Sequence, residues 1–61
     1  MVATQKVTVG TLVKSLRYDK KITQEKLAKR SGITRGYVSN IENDWAEPSD
    51  NTLRKMIRVL T

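Results

Sequence analysis

A chain of 61 residues lies near the lower limit for folding around a core of its own, so one domain is the expectation. With neither cysteine nor histidine it offers no disulfide, no thiolate ligand, and neither the commonest general base nor the commonest metal ligand. Lys and Arg total 12 against 6 Asp and Glu, and the resulting charge of +6 points to a polyanionic partner such as nucleic acid or an anionic membrane surface.

Residues 1–7, "MVATQKV", show no helical period and read as a flexible N-terminal arm, leaving 8–61 as the folded domain. Thr8 is a candidate N-cap for a first helix. Its stripe of Val9, Leu12, Val13 and Leu16 falls at i, i+3, i+4, i+7, and it should fade around Tyr18–Lys20. With Thr23 as the next N-cap, Ile22 and Leu27 take the two positions of a hydrophobic staple, and a second helix runs from Gln24 to about Arg30 before Gly32 stops it. The device repeats at once: Thr34 caps a third helix, Ile33 and Val38 staple it, and Val38 and Ile41 point inward. That helix should end near Asn43–Asp44, residue types that tolerate positive φ. After a polar connection containing Pro48, Ser49 caps a fourth helix with Leu53, Met56, Ile57 and Leu60 as its inner face. No stretch alternates in the manner of a strand.

The two central helices span about two turns each, well short of the ~12–15 residues at which an isolated helix becomes even marginal. The outer helices must hold them, and a short, tightly linked pair held in this way is the helix-turn-helix arrangement. Up to Ile41 there are nine basic and two acidic residues; from Glu42 onward there are three basic and four acidic, so the "ENDWAEPSD" connection is locally negative.

In register across both helices, Thr23, Gln24, Leu27, Ala28, Gly32, Ile33, Thr34, Val38, Ser39, Ile41 and Glu42, with Pro48-Ser49 beyond them, resemble the phage repressor / Cro / XRE-type helix-turn-helix family of DNA-binding regulators. The resemblance covers residues 9–60. It implies an all-α, compact bundle of four to five helices, with the third in the major groove and the second across the backbone. It places Arg35, Gly36, Ser39 and Asn40 at base edges, where Arg35 suits guanine and Asn40 adenine, although glycine at 36 departs from the usual polar side chain. Thr23, Gln24, Tyr37, Asn43 and Arg17 become the candidate phosphate contacts. A carboxylate at 42, near a helix C-terminus, opposes the helix dipole, and the family's answer is a salt bridge that here joins Arg17 to Glu42.

The resemblance further implies double-stranded DNA as partner, a homodimer on an inverted-repeat operator and a repressor-like role, and the lack of cysteine fits a reducing cytoplasm. No membrane segment, cofactor, metal or small-molecule ligand is indicated. An enzyme is not expected, because glycines at 10, 32 and 36 make no phosphate loop and no carboxylate pair has acid/base spacing. The alternative is a protein-interaction module on the same fold, antitoxin-like or an anti-repressor partner, that uses Trp45 and the acidic loop. For Trp45 itself the expectation is packing over the edge of the core.

Overall fold

The computed structural model describes residues 7–61, in which four helices follow one another: α1 (Val9–Lys20), α2 (Gln24–Ser31), α3 (Arg35–Glu42) and α4 (Asp50–Leu60). All but Val7 of the arm expected over residues 1–7 lies outside the described residues. Each helix starts where a hydroxyl can satisfy a free backbone donor. The side chains of Thr8, Thr23, Thr34 and Ser49 accept from the amides of Thr11, Lys26, Tyr37 and Thr52 at 3.1, 3.1, 3.1 and 3.2 Å. Each such cap is worth about 1 kcal/mol, a large share of what a two-turn helix can supply for itself.

The first three helices end alike. A residue at positive φ reverses the chain in each case: Lys21 (57°), Gly32 (71°) and Asp44 (62°). The amide that follows reaches back five residues, from Ile22 to the Arg17 carbonyl, Ile33 to Ala28 and Trp45 to Asn40, at 3.3, 3.0 and 2.8 Å. This is the Schellman stop, in which an apolar residue after the reversal packs on the turn it closes. Ile22 and Ile33 do so, half-buried against the core, and each also begins the staple of the next helix.

The core draws on all four helices: Val13 from α1, Leu27 and Ala28 from α2, Val38 and Ile41 from α3, Met56 and Leu60 from α4. α2 packs on α3 and α4, and α1 packs on the same two. Full burial of an aliphatic side chain stabilises by about 1.5–3 kcal/mol, and this shared interior holds the short central pair in place.

Three expectations about buried faces are corrected. The inward face of α1 is Gly10, Val13 and Arg17, with Leu16 half-buried, while Val9 and Leu12 remain 42% and 43% exposed. On α4, Leu53 and Val59 complete the face made by Met56 and Leu60, and Ile57 is half-buried to its side. Trp45, expected over the core edge, is 78% exposed.

Gly10 explains the packing of α1. A Cβ at this position would overlap the Ile41 carbonyl oxygen and lie 2.6 Å from Asp44 Oδ1, so α1 meets the end of α3 at backbone distance. Thr8 Oγ1 donates to Asp44 Oδ2 at 2.9 Å across the same junction. The first turn of α1 carries no acidic residue of its own, and Asp44 supplies the negative charge that its dipole favours.

Candidate nucleic-acid interface

The exposed edge of α3 carries Arg35, Gly36 and Asn40, with Asn43 just past its end and Ser39 half-buried. Thr34 turns the chain so that Arg35 and Gly36 open the helix, and Val38 and Ile41 anchor the opposite side. Among the described residues Arg35 makes no ion pair, so its guanidinium extends free from the start of the helix. Gly36 faces open space, since nothing lies within 4 Å of where its Cβ would stand. A partner can therefore approach the α3 backbone there more closely than any side chain would permit.

The other residues grouped as phosphate contacts occupy three different settings. Thr23 is exposed at the start of α2 and Gln24 is half-buried beside it; there the first amides of the helix lack intrahelical partners and the dipole favours an anion. Tyr37 is half-buried against the core, and its hydroxyl donates to the Glu47 carbonyl at 3.3 Å, so it ties α3 to the loop that follows. Asn43 is exposed, but its Nδ2 donates to the Ser39 carbonyl at 3.0 Å.

Arg17 is placed differently from the rest. It is only 7% exposed, and all three of its nitrogens donate within the protein. Nε meets Glu42 Oε2 at 2.7 Å, one terminal nitrogen meets Glu42 Oε1 at 3.0 Å, and the other meets the Ile22 carbonyl at 3.0 Å. The guanidinium that the resemblance sets near a phosphate is thus turned inward, with its carbon 4.7 Å from the centre of the Tyr18 ring. Gln24 Nε2 also donates to Glu42 Oε1, at 3.0 Å, so one buried carboxylate gathers α1, α2 and α3.

Burial alone would push the Glu42 carboxyl up. The hydrogen bonds from Arg17 and Gln24, with the Arg17 charge, outweigh it and hold the group below its ordinary value. Its hydrogen bond with Glu42 raises the Arg17 guanidinium in turn, against the opposing effect of burial. The pair is a positioning device. It ties the end of α3 to α1, and the Gln24 bond ties the same carboxylate to the start of α2.

Two features of this region escape sequence reasoning. Gly10 carries no hydrophobic signal, yet it sets the distance between α1 and α3. The other is the placement of the acidic residues of the loop. Asp44 and Glu47 line a cleft of about 220 Å³ with Thr8, Val9, Gly10, Ala46 and Pro48, on the α1 side of the loop.

Residues 13–61 match the helix-turn-helix family model. The chain is 37% identical over 54 residues to the immunity repressor protein of Bacillus phage phi105, covering 88% of this chain and 38% of that protein. It is 40% identical over 48 residues to the ImmF control region 10 kDa protein of the same phage, covering 79% of this chain and 53% of that one. The chain therefore spans about half, or less, of the length of these curated relatives. Among solved structures it is similar to a tyrosine-to-alanine mutant of the restriction-modification controller protein C.Esp1396I, with a TM-score of 0.82 and 31% identity over 85% of this chain and 68% of that one.

Proposed function

Since the chain belongs to the helix-turn-helix family of DNA-binding regulators, which is not an enzyme family, we propose that it acts as a sequence-specific, repressor-like regulator of transcription. In this reading it lays α3 in the major groove of double-stranded DNA and works as a cytoplasmic homodimer on an inverted repeat. The observation that carries the reading is the exposed edge of α3. Arg35 opens it, Gly36 leaves room beside it, and Asn40 stands one turn on, all held by a buried network on a chain of charge +6. Repression draws support from the names of the phage relatives. No helix among the described residues is long and apolar enough to cross a membrane.

Base contact by Arg35 is tested by measuring Arg35→Ala against a panel of operator variants. The substitution is expected to weaken binding by ~1–3 kcal/mol and to relax preference at one operator position. A uniform loss across all sequences would make Arg35 a phosphate contact instead. The protein-interaction reading keeps one supporting observation, the exposure of Trp45. It predicts a folded chain that binds a protein partner and shows no preference among duplexes.

A further inference from the structure

We infer that Trp45 extends the DNA-contacting face of α3, laying its indole against the sugar–phosphate backbone beside the site served by Asn40. This rests on the DNA-binding reading and adds to it a contact made by an uncharged ring.

The argument starts from three equivalent positions. Ile22, Ile33 and Trp45 each follow a left-handed residue and each donate an amide to the carbonyl five residues back. In such a stop the apolar side chain packs over the residue whose carbonyl is bonded. For Ile22 and Ile33 that residue is Arg17 or Ala28, both buried, and both isoleucines are drawn into the core. For Trp45 it is Asn40, on the exposed edge of α3, and the indole stays 78% exposed. The Asn40 carbonyl accepts from the amides of Trp45 and Ala46 at 2.8 and 3.2 Å, so the start of the loop is bonded directly to the reading helix.

The acidic neighbours do not oppose this placement. Asp44 and Glu47 line the cleft against α1, whereas Trp45 is not among its walls. The backbone of Trp45 is thus bonded to Asn40, while the Asp44 carboxylate turns toward Thr8 and Gly10 and Glu47 lines the same cleft. Deoxyribose offers an indole an apolar surface, and a phosphate oxygen offers an acceptor for Nε1–H.

Trp45 is the chain's one tryptophan, so its emission reports this position alone. The experiment titrates the protein with a mixed-sequence DNA duplex at low salt while following that emission. Labelled-duplex binding is measured in parallel for the native chain, Trp45→Ala and Trp45→Lys across a salt series, with circular dichroism establishing that each is folded. The expected result is a shift in emission on adding duplex and about tenfold weaker binding by Trp45→Ala, with an unchanged salt slope because no charge is lost. Trp45→Lys should recover affinity with a slope steeper by about one. Unchanged emission, with Trp45→Ala binding as well as the native chain, would overturn the assignment and leave the DNA reading intact. Emission that responds to protein concentration and not to DNA would also overturn it, placing Trp45 between two copies of the chain. A folded native protein that binds no duplex would defeat the DNA reading first, and this inference with it.

Discussion

Glu42 is a carboxylate in the last turn of α3, where the dipole disfavours it, and it is only 6% exposed. Such a charge persists in a fold only when paired, and Arg17 pairs with it through two parallel bonds. Removing one partner strands the other in the interior, at a cost of about 3–5 kcal/mol, whereas replacing both by apolar groups is far milder. Denaturant unfolding of Arg17→Met, Glu42→Leu and the double variant should show this: each single variant loses more stability than the double. Strictly additive losses would contradict the pairing. The pair also sets an acid limit. Because folding lowers the Glu42 pKa, its stabilisation is complete above the unfolded carboxyl value of about 4.3 and disappears as pH falls through the lower folded value. A denaturation series in acid should therefore show a loss of stability in the native chain that is smaller in the double variant.

The helix starts and stops are the elements most legible in the sequence. Thr8, Thr23, Thr34 and Ser49 cap as their types suggest, and the doubled staples of Ile22–Leu27 and Ile33–Val38 announce two short helices that need a scaffold. The inward face of α1 was less legible because two of its three buried residues, Gly10 and Arg17, carry no apolar signal, so the pattern drifts to Val9 and Leu12. Trp45 departs from its expected burial for a related reason: hydrophobicity predicts burial, but what the position packs upon is decided by Asn40, five residues earlier in the Schellman geometry. At the α1–α3 junction, Gly10→Ala should lower stability by ~1–3 kcal/mol, since the backbone of α3 must retreat to admit the methyl group. Lys21→Gly should act in the opposite direction, raising the denaturation midpoint by about 1 kcal/mol in free energy, because a lysine holds a left-handed conformation there. An unchanged midpoint in either variant would remove the corresponding strain from the account.

Among the described residues, most acidic groups serve local structure and every basic residue except Arg17 faces outward. Glu25 and Asp50 lie in the first turns of α2 and α4, Asp44 stands at the start of α1, and Glu42 is matched by Arg17, while Lys14, Lys26, Lys29, Arg30, Arg35, Arg54, Lys55 and Arg58 are exposed. Such a surface predicts binding that weakens on the order of a hundredfold or more between about 50 and 200 mM salt, as counterions displaced from the duplex return. In the proposed function, α3 adds sequence preference to this general attraction. The measurement that tests that claim most directly is selection of bound sites from a random duplex library at near-physiological salt, with the chain shown to be helical under the same conditions. An enriched inverted repeat, its half-sites about 34–36 Å apart or a multiple of that, is the predicted result. A single unrepeated half-site would retain α3 as the reader and remove the homodimer. A folded chain that enriches no sequence would contradict the account.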